Sequence, residues 1–277
     1  MNRMDILIQQ ALEEDIGTGD ITTVSTIPIH TILTGEFIAK EHGIVAGLEV
    51  VGRVFSLYDQ KIHYTPNVMD GVPILKGMVL ATVEGPGRSI LSTERVALNF
   101  LQRMSGIATQ TKTLVEAVKG TSATILDTRK TAPGLRVFDK WAVRIGGGQN
   151  HRFGLFDMVL IKDNHIAACG SITQAIEAIR KKTKKAIEVE VTTLEELREA
   201  VSLHPDRIML DNMSVLEMRK AVKMAAGSVP LEASGNVNLR NVKSIANTGV
   251  DYISVGSLTH SVKALNISLE ITHNTSL

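Results

Sequence analysis

The second half of the chain repeats one pattern of apolar and polar positions. A short run rich in aliphatic and β-branched residues is followed by a stretch with helical spacing, and this unit recurs along the chain. The alternation predicts a parallel sheet with right-handed crossovers, and at least six units in a row favour a barrel over an open sheet. The predicted strands are TILDT (124–128), DMVLIKD (157–163), AIEVEV (186–191), DRIMLDN (206–212), VPLEASG (229–235) and VDYISVG (250–256).

The first third of the chain has a different pattern of apolar and polar positions. Residues 3–14 space their apolar side chains as an amphipathic helix does. The sequence EDIGTGDITT follows, and its two glycines predict a turn whose acidic residues are solvated. From Leu33 to Leu91, short apolar runs are separated by Gly and Pro, which predicts a small sheet rather than further strand–helix units.

Helical spacing returns over residues 92–119. We predict that Ser92 is the N-cap and that Ser105-Gly106 divides the stretch into two helices. Arg95 would then lie in the first turn, where the helix dipole disfavours a cation by about 0.3–1 kcal/mol. This small penalty favours a role for Arg95 in binding an anion, although a surface arginine explains the position equally well.

The length of the chain is sufficient for two ordinary domains. A chain of 277 residues can form two hydrophobic cores, and the pattern of apolar and polar positions changes near residue 105. We expect an N-terminal domain over residues 1–105 and a barrel domain over residues 106–264. A C-terminal tail at residues 265–277 is expected to pack on the N-terminal domain.

Composition and charge exclude several classes of partner. A formal net charge of +1 gives no overall field for nucleic acid or a membrane surface. No apolar run approaches the roughly 20 residues that span a bilayer, and acidic residues interrupt the first 20 positions where a signal peptide would lie. Cys169 is the only cysteine, so no intrachain disulfide can form. We therefore expect a cytoplasmic protein that binds neither nucleic acid nor membrane.

Cations concentrate in one stretch of this nearly neutral chain, residues 127–165. Apolar segments precede Asp127 and Lys162, so a core is expected to hold both ends of the stretch. A basic cluster held in this way favours a pocket for a small, highly anionic ligand, and a solvated loop with scattered charges is the alternative. Between its residues 129 and 162 the stretch contains Arg129, Lys130, Arg136, Lys140, Arg144, His151, Arg152 and Lys162, against only Asp139 and Asp157.

Polar or small residues stand at the carboxyl end of each predicted strand. In a parallel α/β barrel these ends converge on one face, where active sites lie. Solvent explains any one polar strand end, but it does not explain why all six strands end in this way. In chain order the residues are Asp127 with Arg129 and Lys130, Lys162 with Asp163, Glu190, Asp211 with Asn212, Ser234 with Gly235, and Gly256.

Two features of these strand ends indicate the type of ligand. Ser234, Gly235 and Gly256 follow the last two strands, where small residues let backbone N–H groups and a helix N-terminus approach a phosphate. Glu190 and Asp211 stand alone among apolar neighbours, which suits sugar hydroxyls or a Mg²⁺ carried by a substrate rather than a tightly bound metal. No zinc-site spacing and no GK[ST] phosphate loop occurs. The residues therefore predict a ligand with a phosphate, further anionic groups and a polyol.

Motifs along the whole chain resemble those of the quinolinate phosphoribosyltransferases, also called nicotinate-nucleotide pyrophosphorylases (carboxylating). The resemblance implies an α/β fold with an incomplete, seven-stranded parallel α/β barrel and a smaller N-terminal α/β sandwich domain, whereas the pattern above yields six strands. One departure is Trp141, where the family pattern has Tyr. The matching motifs are EDIGTGDITT, GIVAG, ERVALNFLQRMSGIAT, DTRKTAPGLR, GGGQNHRFGLFDMVLIKDNH, EVEV, LDN, LEASGN and GVDYISVGSLTHS.

The resemblance also implies a reaction and an assembly. Quinolinate and phosphoribosyl pyrophosphate would give nicotinate mononucleotide, pyrophosphate and CO₂ in NAD biosynthesis, with Mg²⁺ accompanying the phosphorylated substrate. The carboxylates, phosphates and ribose hydroxyls of these substrates match the ligand predicted from the strand ends. The family resemblance further implies a homodimer, or a higher oligomer built from it, in which the partner subunit completes each active site.

Roles for individual residues follow from the matching motifs. Lys130 would contact phosphoribosyl pyrophosphate, and Arg95 would reach the site of the neighbouring subunit. Glu190 and Asp211 would bind ribose hydroxyls and Mg²⁺, and we expect them to act in catalysis together with Lys130. The quinolinate carboxylates would be held by Arg129, His151, Arg152 and Lys162, and the 5′-phosphate by Ser234, Gly235, Gly256 and His260.

Two other functions compete with this one. A paralogous branch linked to molybdenum transport shares the general pattern, but the motif LIKDNH at residues 160–165 favours the quinolinate enzymes. A nucleic-acid-binding module could use the basic stretch, but the near-zero net charge and the carboxylates at the same strand ends argue against it.

Overall fold

The chain divides into two units in a computed structural model, which describes residues 3–275. The first unit comprises Met1–Gln110, Ala132–Gly146 and Val262–Leu277, and the second comprises Thr111–Thr131 and Gly147–Ser261. The sequence places residues 132–146 in the barrel domain, whereas they group here with the first unit. Residues 1–2 of the expected N-terminal domain and residues 276–277 of the expected tail lie outside the described residues.

The elements along the described residues are, in chain order, α1 (Arg3–Ile16), α2 (Ile21–Thr26), β1 (Ile32–Ala39), β2 (Gly43–Ile44), α3 (Leu48–Tyr58), β3 (His63–Pro66), β4 (Pro73–Ile74), β5 (Val79–Pro86), α4 (Gly87–Ala117), β6 (Thr124–Leu126), α5 (Arg136–Ile145), β7 (Val159–Ile161), α6 (Asp163–Cys169), α7 (Ile172–Arg180), β8 (Ile187–Val191), α8 (Leu194–Ser202), β9 (Arg207–Asp211), α9 (Val215–Ala225), β10 (Leu231–Ser234), α10 (Val242–Ala246), β11 (Tyr252–Ser254), α11 (Ser257–His260) and β12 (Ile267–Thr275).

The first unit contains the predicted small sheet, with strands in the order β12-β1-β5-β3. Its pairs are antiparallel, and the C-terminal strand β12 lies along β1 with Ile267 opposite Ala39. Aromatic rings fill the core beside this sheet, where the ring centroids of Phe37 and Phe55 are 6.1 Å apart and those of Phe55 and Tyr64 are 5.8 Å apart. The amphipathic helix predicted at residues 3–14 is also confirmed, as α1.

Helix α3 was not predicted, because its start signal comes from a distant residue. Gly47 at the N-cap has no side chain to accept a hydrogen bond. Instead, the Asp70 carboxylate accepts the backbone N–H groups of Gly47 at 3.0 Å and Leu48 at 3.1 Å. A cap supplied across the fold satisfies the first N–H groups as well as a local one does, but leaves no local sequence signal.

Helix α4 is continuous over Gly87–Ala117, so the N-cap predicted at Ser92 and the break predicted at Ser105-Gly106 are both wrong. Gly106 serves close packing instead, since a Cβ atom there would lie only 2.1 Å from the carbonyl oxygen of Lys263. Arg95 consequently lies well inside the helix, and the argument from the helix dipole no longer applies to it. None of the helices in the described part of the chain is both long and apolar enough to cross a membrane.

The second unit is built on a six-stranded sheet in the order β6-β11-β10-β9-β8-β7. All of its strand pairs are parallel, and helices follow the strands along the chain, so the predicted α/β alternation and all six predicted strands are confirmed. Ser and Thr caps mark the helix starts: Ser171, Thr193 and Ser214 each accept a backbone N–H from the first turn. The carboxyl ends of the strands therefore lie at one edge of this sheet.

The seventh strand that the family resemblance implies is reduced here to a single bridge. Gln149 pairs in parallel with Leu126 of β6, where its N–H donates to Ile125 O at 2.9 Å and its carbonyl accepts the N–H of Asp127 at 3.2 Å. The bridge at Gln149 comes directly after three glycines, so the sequence has no apolar run that would predict a strand there. The bridge places the next residues, His151 and Arg152, beside the end of β6.

Candidate active site

A cavity of about 630 Å³ opens at the carboxyl ends of the parallel strands of the second unit. This is where the strand-end pattern predicts it, because every strand from β6 to β11 contributes a residue near its last position. The lining includes all predicted site residues of this unit except Gly256 and His260. The lining residues are Thr128, Arg129, Lys130, His151, Arg152, Leu160, Lys162, Glu190, Met209, Asp211, Asn212, Ser234, Gly235, Asn236 and Ser254.

Two guanidinium groups lie close together in this lining. Burial lowers the pKa of Arg152, and the positive charge of nearby Arg129 lowers it further. Arginine nevertheless remains protonated at physiological pH, so the two positive charges act on each other across the cavity wall. The guanidinium of Arg152 also forms a hydrogen bond to the protein, since Nη1 donates to the carbonyl oxygen of Met158 at 3.3 Å. A pair of this kind favours a ligand that carries more than one negative charge.

Lys162 and Glu190 form an ion pair at the edge of the cavity. The loop that carries Lys162 is held by His165, whose Nδ1 accepts the backbone N–H of Lys162 at 3.0 Å. This bond explains why the lysine and the histidine occur together at the start of α6. The ion pair leaves the amine charge neutralised until an anionic ligand competes for it.

Asp211, Asn212 and Gly235 form an interlocked pair of turns after β9 and β10. The Asn212 side chain donates to the Asp211 carboxylate at 2.6 Å, and Asn212 adopts a positive φ of 54°. Gly235 has φ of 99°, and a Cβ atom there would lie 2.1 Å from Asn212 Oδ1. Two separate features therefore require glycine at this position: the backbone conformation and the close approach of Asn212.

Gly256 and His260 do not line the cavity, but they lie beside Lys130, which does. A Cβ atom on Gly256 would approach His260 Cδ2 at 3.1 Å and Lys130 Cδ at 3.3 Å. The hydroxyl of Thr259 also donates to the carbonyl oxygen of Lys130 at 2.8 Å. The short helix α11 thus holds the loop that presents Lys130 to the cavity.

The basic stretch of the sequence is not one continuous wall. Its central cations, Arg136, Lys140 and Arg144, lie on α5 in the first unit, and Lys140 is buried. Arg95 is an exposed residue of α4, also in the first unit. A helix within the stretch was not predicted, because the charges were interpreted by their density and not by their spacing. Only the two ends of the stretch supply cations to the cavity.

A network of hydrogen-bonded side chains runs from the cavity lining into the interior of the second unit, and it comprises His151, Glu188, Glu232, Arg207 and Ser254. The sequence interpretation assigned His151 to the site but missed the other four residues. Burial raises the pKa of both glutamates to about 7, and Arg207 partly opposes that rise. The sequence does contain a signal, because Glu188 precedes Glu190 by two positions on β8 and so shares its face of the sheet. His151 lines the cavity, and both of its ring nitrogens form hydrogen bonds within the protein, to Glu188 and to the backbone N–H of Arg152.

Comparison with known proteins covers nearly the whole chain. Residues 20–105 match the family model "Quinolinate phosphoribosyl transferase, N-terminal domain", and residues 107–270 match the model of the corresponding C-terminal domain. A quinolinate phosphoribosyltransferase [decarboxylating] of Nicotiana tabacum is 48% identical over 286 residues, which cover 96% of this chain and 81% of that protein. A probable nicotinate-nucleotide pyrophosphorylase [carboxylating] of Bacillus subtilis is 45% identical over 98% of this chain and 95% of its own.

Solved structures agree with these sequence relatives. The nicotinate-nucleotide pyrophosphorylase of Francisella tularensis superposes with a TM-score of 0.93 at 42% identity, over 98% of this chain and 96% of that chain. The Ehrlichia chaffeensis protein of the same name gives a TM-score of 0.93 at 44% identity, over 96% of this chain and 98% of that chain. The similarity therefore extends through the fold as well as the motifs.

Proposed function

The chain belongs to the quinolinate phosphoribosyltransferase family, and on this premise we propose how its cavity accommodates two substrates. The enzyme is a decarboxylating pentosyltransferase of NAD biosynthesis, which joins quinolinate to phosphoribosyl pyrophosphate and releases pyrophosphate and CO₂. One observation carries the assignment of the cavity. It brings the neighbouring guanidinium groups of Arg129 and Arg152 together with two carboxylates, Glu190 and Asp211.

Quinolinate binds to the cationic part of the cavity. Its two carboxylates match the paired guanidinium groups of Arg129 and Arg152, which can each donate two parallel hydrogen bonds to a carboxylate. Lys162 adds a third cation when the ligand competes with Glu190 for it. His151 lines the cavity beside Arg152 and accepts the backbone N–H of Arg152 through Nδ1.

Phosphoribosyl pyrophosphate binds across the remaining strand ends. Lys130 contacts its phosphates, and the backbone around Ser234 and Gly235 approaches the 5′-phosphate. Gly256 and His260 support Lys130 there. Glu190 and Asp211 hold the ribose hydroxyls. These two carboxylates also suit Mg²⁺, which takes carboxylate oxygens together with substrate phosphates and would supply positive charge near the pyrophosphate.

The chemistry begins at C1′ of the ribose. The bond to pyrophosphate loosens and gives the sugar oxocarbenium character, which the negative charges of Glu190 and Asp211 favour, while Lys130 favours the departing pyrophosphate. The quinolinate ring nitrogen attacks C1′ and becomes a pyridinium. Its positive charge stabilises the carbanion left when the 2-carboxylate departs as CO₂, and that carbanion takes a proton from water. The scheme needs no general base.

The function is tested with purified protein, Mg²⁺ and phosphoribosyl pyrophosphate, by measuring CO₂ release and nucleotide formation. Quinolinate is expected to give CO₂ and nicotinate mononucleotide, with little nucleotide formed from nicotinate. Equal use of nicotinate would contradict the assignment. A labelled oligonucleotide at low salt is expected to show no binding, which separates the enzyme from a nucleic-acid-binding module.

Replacing Gly235 by alanine is expected to weaken binding of phosphoribosyl pyrophosphate. The added Cβ would meet Asn212 at 2.1 Å and push apart the turns that flank the 5′-phosphate site. We expect the KM for phosphoribosyl pyrophosphate to rise about tenfold, as for a loss of about 1.4 kcal/mol, and the KM for quinolinate to change little. Steady-state kinetics with each substrate varied in turn provides the measurement.

Gly227→Ala is the matched control for that substitution. Gly227 also has a positive φ, of 76°, but no atom lies within 4 Å of the position of its Cβ. Both variants therefore carry the backbone strain of roughly 1–2 kcal/mol, and only Gly235→Ala carries the collision. If both raise the KM for phosphoribosyl pyrophosphate equally, strain rather than the site geometry is responsible and the assigned role of Gly235 is incorrect.

We also propose a homodimer with shared active sites and a cytoplasmic location. Arg95, which the family motif assigns to a neighbouring subunit's site, is exposed on α4 and so is accessible to a second chain. A single, exposed cysteine suits a reducing compartment. Sedimentation at several concentrations tests the dimer, and fractionation of the cells that make the protein tests the location.

A further inference from the structure

Glu188 and Glu232, the two acids of the buried network, do not line the cavity and have no part in the substrate contacts proposed above. Glu188 and Glu232 are 0% exposed and His151 is 8% exposed. They approach one another from separate parts of the sheet, since Glu188 lies on β8, Glu232 lies on β10 and His151 follows the Gln149 bridge. Buried carboxyl groups are retained only where they are hydrogen-bonded or paired, so their partners indicate what they do.

His151 connects β8 to the backbone of Arg152. Its Nε2 lies 2.8 Å from Glu188 Oε2, and its Nδ1 accepts the backbone N–H of Arg152 at 2.7 Å. The backbone N–H of His151 donates in turn to Asp127 Oδ1 at 2.9 Å. The segment that presents Arg152 to the cavity is therefore tied to two strands by side-chain hydrogen bonds.

Glu232 approaches the same nitrogen of the imidazole ring as Glu188. Its Oε2 lies 3.6 Å from His151 Nε2 and accepts a hydrogen bond from Arg207 Nη1 at 2.7 Å. The hydroxyl of Ser254 donates to its other oxygen. Arg207 is held in place by stacking over the ring of Tyr252, with 4.0 Å between the guanidinium carbon and the ring centroid. Nε2 of the ring thus faces two carboxyl groups, and Arg207 and Ser254 hold that of Glu232 in place.

The three residues could in principle hold a metal ion, because one ligand atom of each lies within 4.8 Å of the others. The hydrogen bonds argue against that use. Since Nδ1 accepts the N–H of Arg152, a neutral ring carries its proton on Nε2, the nitrogen that faces both carboxyl groups. A protonated nitrogen has no lone pair for a metal, and it donates to Glu188 instead.

We propose that Glu188 is a positioning residue for quinolinate, acting through His151 to fix the backbone and hence the guanidinium of Arg152. The proposal rests on the function proposed above. Arg129 and Arg152 repel each other before a ligand binds, so the arginine needs a hold from within the fold to keep its geometry. Glu232, which is held by Arg207, adds a second carboxyl group beside the same nitrogen of the ring. Recognition of a rigid dicarboxylate depends on donors set in advance to within a fraction of an ångström.

The proposal is tested with Glu188→Ala and Glu188→Gln in the full-length protein. Glu188→Ala removes the acceptor for Nε2, and we expect the KM for quinolinate to rise at least about tenfold while the KM for phosphoribosyl pyrophosphate stays within about twofold. In Glu188→Gln the amide oxygen still accepts from Nε2 and the amide N–H can donate to Glu232. The KM for quinolinate is therefore expected within about threefold of the wild-type value.

Asp5→Asn is the matched control, because Asp5 is a buried acid, as Glu188 is, but belongs to the first unit. Asp5 is bonded to Arg53 at 2.8 Å, in the way that Glu232 of the second unit is bonded to Arg207. The Asp5→Asn variant is expected to lower the thermal midpoint without changing either KM. Equal effects of Glu188→Ala on the two substrates, or a Gln variant as impaired as the Ala variant, would overturn the positioning role. An inactive wild-type enzyme would instead refute the proposed function, so the two failures are distinguishable.

Discussion

Arg152→Ala is expected to raise the KM for quinolinate on the order of 100-fold, because it removes a forked donor of charge-assisted hydrogen bonds worth about 3 kcal/mol. The KM for phosphoribosyl pyrophosphate is expected to change little, since the strand ends that are proposed to bind it retain all their residues. Arg152→Lys is expected to recover only part of the loss, because an ammonium keeps the charge but cannot donate two parallel bonds to one carboxylate. Steady-state kinetics and calorimetric titration with quinolinate provide the measurements.

The stability of the same variant supplies an independent check. Burial lowers the pKa of Arg152, and the positive charge of Arg129 lowers it further, so removal of the Arg152 side chain relieves both the cost of burying the charge and the repulsion between the two cations. The thermal midpoint of Arg152→Ala is therefore expected not to fall, whereas that of the wild-type protein alone is expected to rise on addition of quinolinate. Arg219→Ala, an exposed arginine on α9 of the same unit, serves as the control for loss of a positive charge. If Arg152→Ala weakens both substrates equally, the assignment of the cationic part of the cavity to quinolinate is wrong.

Much of the parallel sheet could be predicted because each strand is a short apolar run between polar ends. The six strands are buried on both faces, and strands of this kind appear in the sequence as runs of consecutive aliphatic residues. The bridge at Gln149 escaped prediction because one residue pair needs no apolar run. Helix α3 escaped it because Asp70, more than twenty residues away, supplies the cap. The helix break predicted at Gly106 was wrong for a related reason, because a distant residue accounts for this glycine. A Cβ atom there would collide with the carbonyl oxygen of Lys263, and no helix ends at this position.

The cavity wall could be predicted wherever its residues are set by position on a strand. Parallel register brings the ends of β6 to β11 to one edge, so Lys162, Glu190 and Asp211 meet although they are distant in the sequence. The layer beneath could not be found in the same way. Glu188 and Glu232 look like polar exceptions in strands until the fold brings them together with His151. Charge density in the basic stretch was a poor guide, because helix α5 carries its central cations into the first unit.

The proposed sharing of active sites between two subunits leads to the other large effect. Arg95→Ala and Lys162→Ala are each expected to lower activity by at least about 100-fold, because each removes a cation from a site that must hold a dicarboxylate and a pyrophosphate. When the two inactive variants are mixed and their subunits exchange, activity is expected to return. In a mixed dimer one site combines an intact Lys162 with an intact Arg95 from the other chain, while the second site lacks both.

The amount of recovered activity is fixed by this geometry. Random exchange makes about half of the dimers mixed, and each mixed dimer has one intact site of two, so about a quarter of wild-type activity is expected. Mixing Lys162→Ala with Arg152→Ala is the control, because both residues line the cavity of the same unit and neither site of a mixed dimer is then complete. Subunit exchange is confirmed with two affinity tags. If exchange occurs and activity does not return, Arg95 acts within its own chain, and the penalty for its loss must come from the fold of α4 rather than from a neighbour's substrate.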